Sequence, residues 1–163
     1  MTQASPTARV TTWLRAFTAA LRSGDIATTA ALFDTPCFWR DMVTFTWNIT
    51  TLEGRDAITA MLEARLAEVG PDAFRIVGEA TEIDGACEAE FVFETRLARG
   101  QGYLRLRGER CWTLLTAITG LKGHEEKSGP TRDSGVVHGV YKNRKTWLEK
   151  RLEEERELGH STQ

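Results

Sequence analysis

Asp41 is the residue whose setting says most about chemistry, because it stands inside an otherwise strand-like run from Cys37 to Thr51. Read as one strand, alternate positions put Cys37, Trp39, Asp41, Val43, Phe45, Trp47 and Ile49 on one face. Phe38, Arg40, Met42, Thr44, Thr46, Asn48 and Thr50 fall on the other. Asp41 then shares an apolar face with two tryptophans. A carboxylate so placed has to be ion-paired, hydrogen-bonded or neutralised. Any bulge in the run would flip the parity and undo the argument. Two roles follow. One is general acid or base on a bound small molecule. The other is structural, the carboxylate accepting hydrogen bonds from backbone or from Arg40 or Arg55 and fixing the turn that follows.

His124, followed by Glu125 and Glu126 in a glycine-rich stretch, is the second candidate, since an imidazole on a loop can serve as an acid or relay. Trp39, Trp47, Phe91, Phe93 and Trp112 are candidates for the wall of an apolar pocket, or for plain core. A metal site is not expected: His124-Glu125-Glu126 lacks helical ligand spacing, and Cys37, Cys87 and Cys111 are dispersed. No serine or cysteine nucleophile sits in a recognisable turn. Arg96 and Arg105 fall on the outward parity of their strands, away from Asp41, and His138 and His160 carry less weight than His124.

The elements that position these residues are legible from periodicity. Val10, Trp13, Leu14, Phe17 and Leu21 repeat with helical spacing, with Ser5 as cap, Pro6 at the first position and Gly24 as stop. Asp25 caps a second short helix with Ile26, Ala30 and Phe33 facing inward, ending before Asp34-Thr35-Pro36. The Trp-rich run leads through Leu52-Glu53-Gly54 to a third helix over about Arg55 to Val69, with the stripe Ile58, Met61, Leu62, Leu66 and Val69. The period then changes to two. Phe74 to Ile83 and Ala86 to Arg96 form a hairpin about Asp84-Gly85. Gly100-Gln101-Gly102 is expected to turn the chain into a strand over Tyr103 to Arg107, whose Arg105 and Arg107 meet Glu90 and Glu94 across the sheet. Arg110 to Thr119, apolar on both faces, reads as a central strand. Gly120 to Val140 holds five glycines, a proline and two histidines and is expected to be irregular. Tyr141 to Leu158 is helical in composition, with a thin stripe of Trp147, Leu148 and Leu152.

With 163 residues, 41% of them apolar, the expectation is one domain over residues 1–140 and a charged helix and tail over 141–163. A net charge of −2 removes the electrostatic footprint of a nucleic-acid binder, and no stretch approaches a membrane span. Three odd, dispersed cysteines read as buried hydrophobes in a reducing compartment. Met1 to Pro6 lacks the pattern of a secretory signal. A cytoplasmic location is expected.

Three helices followed by a strongly curved antiparallel sheet resemble the nuclear transport factor 2-like (NTF2-like, or SnoaL-like) fold, an α+β cone with a pocket on the concave face. Trp13-Leu14-Arg15-Ala16-Phe17, Phe38-Trp39-Arg40-Asp41, Thr50-Thr51-Leu52-Glu53-Gly54-Arg55 and Trp112-Thr113-Leu114-Leu115-Thr116 with Leu121-Lys122-Gly123-His124-Glu125-Glu126 are similar to the N-terminal domain of certain fungal and bacterial flavin-containing monooxygenases. The flavin domain's Gly-x-Gly-x-x-Gly turn does not appear in these 163 residues, so no flavin or other cofactor is expected. The resemblance implies a small hydrophobic ligand, a pocket carboxylate at Asp41, and a homodimer through the sheet. Three functions remain open at this level: a binding domain, an isomerase, cyclase, dehydratase or hydrolase using Asp41, and a dimerisation module.

Overall fold

The computed structural model describes residues 4–132 and 145–158. Helix α1 (Pro6–Ser23) starts where Ser5 Oγ accepts from the Ala8 amide at 3.3 Å and stops at Gly24, which takes the left-handed φ of 71° that a helix C-terminus favours. Asp25 caps α2 (Ile26–Ala31) by accepting from the Thr28 amide at 2.9 Å. Phe33 does not extend that helix; it opens β1 (Phe33–Met42). Then follow β2 (Ile49–Glu53), α3 (Gly54–Val69), β3 (Asp72–Ile83), β4 (Ala86–Glu94), β5 (Ala98–Arg107) and β6 (Arg110–Leu121).

The strands form one six-stranded sheet in the order β2-β1-β6-β5-β4-β3. Every neighbouring pair is antiparallel except β1 and β6, which run parallel, so the sheet is mixed rather than wholly antiparallel. That parallel pairing sets Asp41 beside Thr116 and Trp39 beside Leu114. The stripes of α1 and α3 cover the inner face of the sheet and bury Phe17, Leu14, Ile58 and Leu62 there completely or nearly so.

Two expected turns lie elsewhere. Gly100 and Gly102 are strand residues of β5, and the chain reverses earlier, where the Thr95 amide donates to Ala98 O at 2.8 Å. Glycine is required at both positions for packing, because an added Cβ would come within 2.3 Å of the Phe93 ring and 2.2 Å of the Phe91 ring. The Asp84-Gly85 turn forms as expected, with both residues at positive φ, 51° and 77°.

The described residues fall into two compact units, one up to Glu126 and one from Lys127 onward. In the second, α4 (Trp147–Leu158) begins at a reciprocal cap: Glu149 N donates to Thr146 Oγ1 at 3.3 Å and Thr146 N to Glu149 Oε2 at 2.7 Å. Trp147, Leu148 and Leu152 are exposed on it. The expected helical start at Tyr141, most of the second half of the glycine-rich stretch, His138 and His160 lie outside the described residues.

Candidate functional site

The run from Cys37 to Thr51 is a hairpin, and the expected single strand is corrected accordingly. Chain extension ends at Met42, where Val43 and Trp47 adopt left-handed φ values of 65° and 52°. The reason is Asp41 itself. Its Oδ2 accepts from the amides of Phe45 at 3.0 Å and Thr46 at 2.8 Å and from Thr46 Oγ1 at 2.8 Å, so the chain folds back around the carboxylate. Oδ1 accepts from Thr116 Oγ1 at 2.8 Å, and that hydroxyl accepts from Trp39 Nε1 at 2.9 Å. Asp41 is fully buried and meets four donors without a cation among them. The arginines considered as its partners go elsewhere: Arg40 to Thr51 Oγ1 at 2.8 Å, Arg55 to the Phe33 carbonyl.

Parity held as far as Asp41: Cys37, Trp39 and Asp41 all face inward. Beyond it the turn decides. Phe45 points in and is fully buried, with its ring 4.9 Å from Trp39 at 73°, whereas Trp47 is 48% exposed. Phe91 and Phe93 also face the interior, where they pack with Phe74. Trp39 stacks on Phe33 at 5.9 Å, and Phe17 meets Phe33, Trp39 and Phe74 edge-on. The concave face is thus occupied by the protein's own rings, each worth a large apolar area. Of the expected pocket wall, Trp39, Phe91 and Phe93 are core.

Open space remains at the end of this core. A cavity of about 220 Å³ lies between the 43–48 turn, the end of α3 and the β4–β5 turn. Thr44, Trp47, Val69, Thr95, Leu97 and Ile118 line it, and Trp47 and Leu97 stand half-exposed at its rim. A wider groove of about 610 Å³ runs between α1, α2 and α3 over Leu21, Ile26, Leu62 and Leu66, with the Arg22–Asp72 ion pair (2.5 Å) at its edge. No local sequence signal marks Leu97 or Thr116 as a site residue. Thr116 shows itself only through the parallel register that sets it against Asp41.

Trp112 lies apart from the cavity. It is the extra residue of a bulge in β6, where Arg105 pairs with Thr113 but Leu106 with Cys111. Its ring carries the Arg107 guanidinium at 3.4 Å on the outer face of the sheet. The expected pairing of Arg105 and Arg107 with Glu90 and Glu94 is also corrected. Register sets Arg105 opposite Glu88, giving an ion pair at 2.8 Å, and Glu94 binds Lys122 at 2.7 Å. Glu88 is itself buried and also accepts from the Tyr103 hydroxyl, which pushes the Tyr103 phenol above its usual range.

His124 is exposed beyond the end of β6, where its amide donates to Leu121 O at 3.2 Å; its neighbour Glu125 holds Arg99 at 2.8 Å. That hydrogen bond from Arg99, with the backbone amides of Glu125 and Gly123, brings the Glu125 carboxyl down to about 2. The hydrogen bonds of Asp41 do not involve His124. All three cysteines are free and buried, and burial raises each thiol. Among the described residues there is no cluster of three potential metal ligands, and no helix is long and apolar enough to cross a membrane.

No family model and no curated protein matches the chain. Solved structures do. A ketosteroid isomerase-like protein from Erwinia carotovora superposes with a TM-score of 0.57 at 11% identity, over 70% of this chain and 96% of that one. A polyketide cyclase-like protein from Xanthomonas campestris gives 0.53 at 17% identity, over 71% and 93%. The Orange Carotenoid Protein of Anabaena, which binds canthaxanthin, gives 0.52 at 11% identity, over 65% of this chain and 35% of that one. At such identities the likeness concerns architecture: the chain has the NTF2-like α+β fold.

Proposed function

We propose that the chain is a small hydrophobic-molecule-binding domain, an accessory or free-standing relative of a monooxygenase N-terminal module, acting in the cytoplasm. Its ligand seats at the mouth between the 43–48 turn and the β4–β5 turn. The observation that carries this reading is the cavity of about 220 Å³ beside the 43–48 turn, rimmed by half-exposed Trp47 and Leu97. Exposed large apolar side chains flanking a hollow favour a ligand over bulk water. Canthaxanthin binding by a protein of the same architecture is consistent with that chemistry. A panel of hydrophobic ligands is expected to shift tryptophan fluorescence, and the shift should vanish in Trp47→Phe. An unchanged shift in that variant would move the site elsewhere.

The enzyme reading, with Asp41 as acid or base, has less support, since both carboxylate oxygens are already committed to donors. Dimerisation has an observation of its own. On the outer face Val92, Gln101, Ala117, Met42 and Ile49 follow one another across the sheet in register, and Met42, Ile49, Val77 and Val92 are exposed. A homodimer through this face predicts twice the monomer mass in light scattering, lost in Val92→Glu.

A further inference from the structure

We propose that Thr44 is a specificity-determining residue of the mouth cavity, its hydroxyl donating to the acceptor oxygen of a neutral, otherwise apolar ligand. This rests on the binding reading above and names the class of molecule that the cavity selects. A buried hydroxyl needs a partner, and Thr44 is only 5% exposed. Its Oγ1 reaches Met42 O at 3.5 Å, beyond the roughly 3.0 Å at which O–H···O hydrogen bonds end. Among the described hydrogen bonds that oxygen receives no donor either. Thr44 lines the cavity of about 220 Å³, so an acceptor for its proton can come from there.

The other polar side chains of the lining are better satisfied. Thr95 Oγ1 accepts from the Ala98 amide at 2.9 Å and turns its proton back toward Ala98 O at 3.5 Å, inside its own turn. The Thr95 carbonyl accepts from Lys122 Nζ at 2.7 Å, and its amide donates to Ala98 O at 2.8 Å. Glu68 accepts from Arg65 Nη1 at 3.1 Å. Thr44 therefore keeps the most hydrogen-bonding capacity of the lining. Charge narrows the ligand further. Glu68 is answered by Arg65, and Lys122, beside Thr95, by Glu94. A neutral ligand leaves both pairs intact, whereas an ionised one has to compete with them. Apolar holes of roughly 150 Å³ already admit a benzene-sized molecule, so this cavity has room for one ring and a short arm bearing the oxygen. Water can also meet the Thr44 hydroxyl, but it leaves Val69, Leu97 and Ile118 wetted. A ring with a carbonyl covers the apolar wall and supplies the acceptor together.

Calorimetry with two probes of nearly the same shape tests this: acetophenone, which carries the acceptor oxygen, and ethylbenzene, which lacks it. Thr44→Val keeps the side-chain shape and removes the hydroxyl. It should weaken acetophenone binding about fivefold or more and change ethylbenzene binding by less than about twofold. Thr44→Ser, which keeps the hydroxyl, should hold the wild-type ratio of the two affinities within about twofold. If the valine variant does not fold, the same ratio is read in Thr44→Ala, where it should shift toward ethylbenzene. An equal change for both probes on loss of the hydroxyl, or no change for either, would overturn the role of Thr44 and leave the binding function standing. A wild type that binds ethylbenzene but not acetophenone would do the same. A wild type that binds neither probe nor any member of the hydrophobic panel would overturn the binding function, and the role of Thr44 with it.

Discussion

Among the described residues two carboxylates are buried, and they are held in opposite ways. Asp41, inside the cone, meets two backbone amides and two hydroxyls, all neutral. Glu88, on the outer face of the sheet, meets the Arg105 guanidinium and the Tyr103 phenol. The difference follows from where each partner can reach. A turn wrapped around Asp41 supplies amides that would otherwise be left unpaired in the interior, whereas β5 presents long side chains to Glu88 across an antiparallel pair. Burial of a carboxylate is therefore not by itself a sign of catalysis. What its oxygens touch decides whether it organises backbone or balances a charge.

The largest test of that contrast is Asp41→Asn. The amide nitrogen it introduces faces backbone donors, so the variant should lose roughly 2–4 kcal/mol of stability in chemical denaturation. A loss under about 1 kcal/mol would mean that the turn does not depend on the carboxylate. Glu88→Gln should cost less, about 1 kcal/mol, because the Arg105 side chain is 41% exposed and water replaces much of the lost interaction. Equal losses in the two variants would erase the distinction.

Tyr103 sharpens the outer site. The hydrogen bond to Glu88, then burial, raises its phenol above the ordinary value of 10.0. Since the folded value lies above the unfolded one, this contribution is complete at neutral pH and is lost as pH rises through the raised midpoint. Phenolate absorbance should show one high titration that disappears in Tyr103→Phe and moves down in Glu88→Gln. The smallest effect is expected at the exposed Arg99–Glu125 pair. Glu125 titrates at about 2, below its ordinary 4.5, so whatever it contributes is present above that ordinary value and fades as pH falls toward 2. Arg99→Gln or high salt should bring the Glu125 carboxyl resonance back toward 4.5 with little change in unfolding.

Local signals made the helices and the second half of the sheet readable. Caps at Ser5 and Asp25, the stop at Gly24 and the Asp84-Gly85 turn are each set by neighbours within a few residues. Two misreadings share one cause. Gly100-Gln101-Gly102 has turn composition, but the Phe91 and Phe93 rings of the adjacent strand need the space that glycine leaves. The Trp-rich run has strand composition throughout, but a single side chain, Asp41, draws the chain back on itself. In each case a specific side-chain contact overrode what composition alone would favour.

By itself, the sequence determined the amphipathic helices, the strand parity up to Asp41 and the absence of a basic nucleic-acid footprint, because these depend on residue type and short-range spacing alone. Only the tertiary structure decided that the rings of Trp39, Phe91 and Phe93 fill the cone rather than line an empty pocket. It also decided that Thr116, brought beside Asp41 by the parallel pairing of β1 and β6, completes the shell of that carboxylate. The physical reason is common to both. Space-filling and hydrogen-bond satisfaction are properties of groups far apart in the chain, and they acquire values only once the sheet has set its register.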